Sequence, residues 1–335
     1  MAGSEVQPHP QATMHRYHSL AGHDMQAVLS QLAGLGGRPI EHLTPTEARQ
    51  QPTPADAVTG LLRERGLGTA PEPVATVEDR TIPGSGGPIA IRLYSPTDSG
   101  PLPVLLYIHG GGWVLGSLDG YDSSARALAN AAGAIVVSTH YRLAPEHPFP
   151  ASHEDAFAAY RWVLENSASF QGDPHRVAIA GESAGGNMAV AVALMAREHG
   201  VSLPVHQLLI YPVANTDTNT TSFDENEHAM PLNKAMMEWF ARHEFVHAGD
   251  KKDPRIDLLH ADLQGLPPAT IITAAIDPLR SGGKALADAL EAAGVAVDYK
   301  CYDGVTHEFF GMGAVLAESR DATRLAAKNL RHAFR

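Results

Sequence analysis

A serine set between two glycines, Gly181-Glu182-Ser183-Ala184-Gly185, is the stretch of this chain best suited to do chemistry. Its G-x-S-x-G spacing is that of a nucleophile elbow, a sharp strand-to-helix turn that presents a hydroxyl from a strained backbone. The glycines remove side chains that would strike the adjoining strand and helix. A serine hydroxyl is a weak nucleophile at neutral pH, so it needs a base within reach and a carboxylate to orient that base. Asp277, just before Pro278, and His307, after Asp303-Gly-Val-Thr306, are the candidates. His307 would take the serine proton while Ser183 attacks an ester carbonyl, and Asp277 would fix the imidazole tautomer; water would then release the acyl group. Such a base predicts that kcat/KM falls in acid, near the ordinary histidine value of about 6.5 unless the surroundings shift it.

Acyl transfer also needs donors aimed at the oxygen that becomes negative in the tetrahedral intermediate. His109-Gly110-Gly111-Gly112-Trp113 follows a short apolar run, where an oxyanion loop belongs, and the amides of Gly111, Gly112 and Ala184 are the expected donors. A phosphate cradle competes for such a glycine run, but neither the G-x-x-x-x-G-K-[ST] nor the G-x-G-x-x-G spacing is met.

The elements that must position these residues alternate. Short apolar runs at 104–108, 134–138, 177–180, 206–210, 270–274 and 296–302 read as strands, with helices near 122–132, 152–166, 184–199, 281–293 and 319–333 between and after them. Continuous apolar strands alternating with helices imply a mostly parallel sheet covered on both faces, with ligands beyond the strands' carboxyl ends. Before this core, 24–35 and 46–65 read as amphipathic helices, and 74–82 with 89–94 as a hairpin joined across Pro83–Pro88. The first ten or so residues are expected to lack fixed structure. A polar excursion at 213–257, with a helix over 232–247, reads as a cap formed together with the amino-terminal helices. The chain thus divides into an amino-terminal segment with cap helices (1–70), a first core part (71–212), a cap insertion (213–257) and a second core part (258–335).

Composition narrows the partners. With 25 basic and 37 acidic residues the net charge is -12, which opposes nonspecific attraction to nucleic acid or an anionic membrane. One cysteine, Cys301, rules out an intramolecular disulfide and suits a reducing compartment. No secretory signal or membrane-length apolar run is present, so a cytoplasmic location is the expectation.

With these motifs in hand, the chain resembles the bacterial hormone-sensitive-lipase family of esterases from about Asp24 onward. The likeness rests on His109-Gly-Gly-Gly-Trp113, Tyr141-Arg-Leu-Ala-Pro-Glu-His-Pro-Phe-Pro-Ala151, Gly181-Glu-Ser-Ala-Gly-Gly-Asn187, Asp277-Pro-Leu and Gly304-Val-Thr-His307. It implies an α/β-hydrolase fold with an eight-stranded core and a helical cap, activity on short- to medium-chain acyl esters, and neither metal nor cofactor. It implies a mainly structural role for the Tyr141–Ala151 block, and a homodimer paired through the edge strand at 296–302. Two positions depart from the family pattern: Glu182, where Asp or Thr is commoner, and Glu308, where Gly is commoner.

Three other readings compete. His243-Glu244-Phe245-Val246-His247 matches H-E-x-x-H, which on a helix places two imidazoles on one face for a zinc hydrolase, although the third ligand of an extended motif is missing. A noncatalytic binding module on the same fold is a second. Hydrolysis of amides, carbamates or lactones is the nearest, since only the leaving group differs. Trp113, Met236, Met237, Trp239 and Phe240 are the expected acyl-pocket residues, against the plainer reading that a helical Met and aromatic stripe is core.

Overall fold

A computed structural model describes residues 20–335, so the expectation for the first ten residues lies outside the described ones. Helices α1 (His23–Gly34), α2 (Pro45–Ala48) and α3 (Pro54–Glu64) precede the hairpin β1 (Thr76–Gly84) and β2 (Gly87–Ser95). The core follows as β3 (Leu102–Ile108), α4 (Asp122–Ala132), β4 (Ile135–His140), α5 (Ala151–Asn166), β5 (Gly172–Glu182), α6 (Ala184–Glu198) and β6 (Gln207–Ile210). After α7 (Thr221–Glu225) and α8 (Lys234–Glu244) come β7 (Ala269–Ile276), α9 (Arg280–Ala292), β8 (Val297–Thr306) and α10 (Ala317–Ala333).

The eight strands form one sheet in the order β1-β2-β4-β3-β5-β6-β7-β8. β2 runs antiparallel to β1 and β4, and the remaining pairs are parallel. Alternation along the strands divides the core: Val104, Leu106 and Ile108 of β3 pack with α5 and α6, while Leu105 and Tyr107 pack with α4 and α10. Burial on both faces is what makes these strands read as unbroken apolar runs.

Two expectations change. The helix expected over 46–65 is two helices, because Pro52 and Pro54 interrupt it and each new start is capped, Thr44 by Glu47 and Thr53 by Asp56 in reciprocal capping boxes. The hairpin turn is only Ser85-Gly86, since Pro83 pairs with Pro88 and Gly84 with Gly87 inside the ladder.

The amino-terminal helices and α8 meet above the carboxyl ends of the strands. Trp239 Nε1 donates to the Leu43 carbonyl at 3.1 Å, and Arg49 bridges the Val114 and Ala144 carbonyls at 2.9 and 2.8 Å. Leu258 N donates to the Ala214 carbonyl at 2.9 Å, so the excursion that carries α7 and α8 closes on itself. Among the described residues no helix is long and apolar enough to cross a membrane.

Candidate active site

β5 ends at Glu182 and α6 begins at Ala184, which leaves Ser183 alone in the turn at φ 57°, ψ −119°. Such a conformation costs about 1–3 kcal/mol and persists only where the surroundings hold it. Here Ser183 N donates to the Ile210 carbonyl at 2.9 Å, and the Ser183 carbonyl accepts from Asn187 N and Val213 N at 3.2 Å each. A Cβ on Gly181 would lie 2.0 Å from the Gly185 carbonyl oxygen, and one on Gly185 2.1 Å from that of Ile108. Both obstacles are backbone, so Gly185→Ala is expected to push the elbow away from β3. A destabilisation of about 3 kcal/mol, read as a lower urea midpoint, is the expected result; an unchanged midpoint would mean the elbow has slack.

Parallel register brings the other two residues to the same sheet end. Asp277 follows β7 and His307 follows β8, and both are almost wholly buried. His307 Nδ1 lies 2.7 Å from Asp277 Oδ2, and His307 Nε2 lies 3.0 Å from Ser183 Oγ. Asp277 Oδ1 accepts from Leu279 N at 2.8 Å, which fixes the carboxylate's orientation. Burial presses the imidazole toward its neutral form, but the charge and hydrogen bond of Asp277, with the Glu308 and Glu182 carboxylates, outweigh it. His307 therefore sits above its ordinary value of 6.5.

The glycine loop after β3 turns with Gly111 at φ 101° and Gly112 at φ 59°, conformations open to glycine. The Gly111 carbonyl accepts from Val114 N and Leu115 N at 3.1 and 2.8 Å, turning it into the loop's own backbone. Tyr141 Oη donates to the His109 and Gly110 carbonyls at 3.0 Å each, and Arg142 clamps Asp155 with a bidentate pair. The Tyr141–Ala151 block thus braces the loop from below. Ala184 N opens α6, where a helix supplies no internal acceptor for its amide.

A cavity of about 1290 Å³ opens above these groups, lined by Ser183, His307, Gly111 and Gly112 and by Met236, Met237 and Phe240. Phe240 presses against the loop: a Cβ on Gly112 would fall 2.3 Å from its ring. Trp113 and Trp239 do not line this cavity, contrary to expectation. Trp113 is buried edge-on against Phe245 and lines a separate space of about 200 Å³, while Trp239 spends its N–H on Leu43 and packs against Phe240. For these two, the core reading of the aromatic stripe is the correct one.

A shell of tyrosines that no motif announces surrounds Glu182 and Glu308. Glu182 is fully buried and accepts from Tyr107 Oη at 2.5 Å and from Tyr211 Oη; Tyr121 Oη donates to Glu308 Oε1 at 2.8 Å. Burial, then the neighbouring Glu308 charge, pushes Glu182 up to about 7 against the pull of the hydroxyls around it. The available signal was Tyr107, a tyrosine inside an otherwise aliphatic buried strand, whose hydroxyl must find a partner. Glu308 adopts φ 69°, which explains why glycine suits this position.

The H-E-x-x-H segment does not assemble. α8 ends at Glu244 and Phe245 is extended at φ −104°, ψ 104°, so His243 and His247 do not share a helical face. Glu244 is buried and accepts from Ser152 Oγ at 3.2 Å, and its carbonyl accepts from Phe149 N at 3.0 Å, which pulls the chain out of the helix. Among the described residues no group of three or more His, Cys, Asp or Glu is placed to hold a metal.

Comparison with known proteins agrees with this architecture. A family model described as alpha/beta hydrolase fold matches residues 105–311. The chain is 42% identical over 291 residues to the carboxylesterase NlhH of Mycobacterium tuberculosis, covering 84% of this chain and 91% of that protein. It is 34% identical over 297 residues to an ethyl acetate hydrolase of Pseudomonas putida, covering 87% and 91%. Its fold superposes on a hyperthermophilic esterase of Pyrobaculum calidifontis with a TM-score of 0.85 at 39% identity, over 93% of this chain and 98% of that one. By sequence and by fold, the chain belongs to the bacterial hormone-sensitive-lipase family of α/β-hydrolases and is a carboxylic ester hydrolase.

Proposed function

We propose that the protein hydrolyses short- to medium-chain acyl esters through an acyl-enzyme on Ser183, with His307 as general base and Asp277 as its orienting carboxylate. The observation that carries this is the unbroken series Asp277 Oδ2, His307 Nδ1, His307 Nε2, Ser183 Oγ at 2.7 and 3.0 Å. The amides of Gly111, Gly112 and Ala184 serve as oxyanion donors, each worth on the order of 3 kcal/mol in the transition state. His307 first removes the serine proton, then gives it to the leaving alcohol, then activates the water that frees the acyl group.

The amino-terminal helices with α7 and α8 act as a cap, and Phe240 against Gly112 narrows the space beside the oxyanion loop. A relative named for ethyl acetate supports a preference for small acyl groups. We further propose that two copies pair through the edge strand β8 and that the protein works in the cytoplasm. The same machinery serves amides or lactones, but the relatives named as esterases favour esters.

A series of p-nitrophenyl esters tests the reading. Turnover should peak at short or medium acyl length, and efficient hydrolysis of emulsified long-chain triglyceride would contradict the cap's role. On the favoured ester, kcat/KM should fall in acid as His307 protonates. Because His307 is raised, the acid limb should have its midpoint above 6.5; a midpoint below 6.5 would contradict the electrostatic account.

A further inference from the structure

We propose that Glu308 is a positioning residue for the hydrolysis, a second carboxylate that steadies the His307 imidazolium from its Nε2 side while Tyr121 holds it in place. This rests on the reading of His307 as general base. Asp277 occupies Nδ1, the nitrogen turned away from Ser183, whereas Glu308 Oε1 lies 3.9 Å from Nε2, the nitrogen that receives the serine proton. A carboxylate at that range favours the charged ring without bonding to it, so Nε2 stays directed at Ser183 Oγ 3.0 Å away. The left-handed backbone at Glu308 turns the side chain back toward the site, and the Tyr121 hydroxyl fixes Oε1 at 2.8 Å. Tyr121 in turn abuts the oxyanion loop, since a Cβ on Gly110 would fall 2.6 Å from its Oη. The pair therefore sits between the loop and the imidazole.

The titratable groups facing His307 are Asp277 after β7, Glu182 at the end of β5, Tyr211 after β6, whose ring centroid is 4.4 Å from the imidazole, and Glu308 itself. Those facing Glu308 are His307, Asp277 and Glu182, Tyr121 before α4, Tyr107 of β3, Tyr211 after β6 and Tyr141 after β4. Burial raises Glu308 and the His307 charge draws it back, so the acid limb belongs to the group rather than to one residue.

The test compares pH profiles of kcat/KM on p-nitrophenyl butyrate for the wild type, Glu308→Gln, Glu308→Asp and Tyr121→Phe, with Ser183→Ala as reference. Glu308→Gln should move the acid limb down by about 0.5–1 pH unit while turnover persists, because the charge that favours imidazolium is gone. Glu308→Asp should recover part of the shift. Tyr121→Phe should move the limb the same way by less, and it carries the test if Glu308→Gln fails to fold. Limbs within 0.2 unit of wild type in folded Glu308→Gln or, failing that, in Tyr121→Phe would overturn the role of Glu308 alone, provided Ser183→Ala is inactive. Persistent turnover by Ser183→Ala would overturn this proposal together with the reading beneath it.

Discussion

Replacing Ser183 with alanine is expected to lower kcat by on the order of 10⁶, since in a serine triad the loss of the nucleophile alone costs about as much as the loss of all three residues. The residue left in the turn would keep its backbone at φ 57°, held by the bonds to Ile210, Asn187 and Val213, so folding should change little. Ser183 is 5% exposed and its Oγ bonds to His307, so the deletion removes a hydroxyl and leaves no large cavity. Residual hydrolysis should match what the oxyanion loop and binding contribute without covalent attack, about 10³–10⁴ over water. Measurement of turnover alongside the thermal midpoint separates chemistry from folding. A variant that kept more than a hundredth of wild-type kcat would mean that water attacks the ester directly.

That expectation was legible in the sequence because the elbow is a local device. Gly181 and Gly185 are demanded by backbone within a few residues or in the neighbouring strand, and the strand and helix that flank Ser183 announce themselves by burial. Asp277 and His307 were legible for a related reason: each lies just past an apolar strand, and parallel strands deliver their carboxyl ends to one side of a sheet. The tyrosine shell was not. Tyr107, Tyr121 and Tyr211 come from separate segments, and nothing in their local pattern says that two of them converge on Glu182 and the third on Glu308. Nor does helical spacing distinguish Phe240, which lines the cavity, from its neighbour Trp239, which turns to Leu43. The H-E-x-x-H match failed because its reading assumes a continuous helix, and the bond from Phe149 N to the Glu244 carbonyl belongs to the tertiary structure.

Asp277→Asn is expected to lower kcat by on the order of 10⁴ through a change of tautomer with the geometry kept. In this protein the direction of that change follows from Leu279, whose N–H already occupies Asp277 Oδ1 at 2.8 Å. An asparagine would keep its carbonyl oxygen on that amide and turn its NH₂ toward His307 Nδ1, where the carboxylate oxygen stands now at 2.7 Å. Nδ1 must then accept, and the ring's proton moves to Nε2. That proton faces Ser183 Oγ at 3.0 Å and Glu308 Oε1 at 3.9 Å, and the second carboxylate holds it there. Nε2 can no longer take the serine proton, so Glu308, which helps the imidazolium in the wild type, deepens the defect in the variant. Adding Glu308→Gln to Asp277→Asn should therefore not lower kcat by a further factor, although Glu308→Gln alone shifts the pH profile. Should Asp277→Asn keep more than a tenth of wild-type kcat while folded, Asp277 would not be the group that sets the imidazole tautomer.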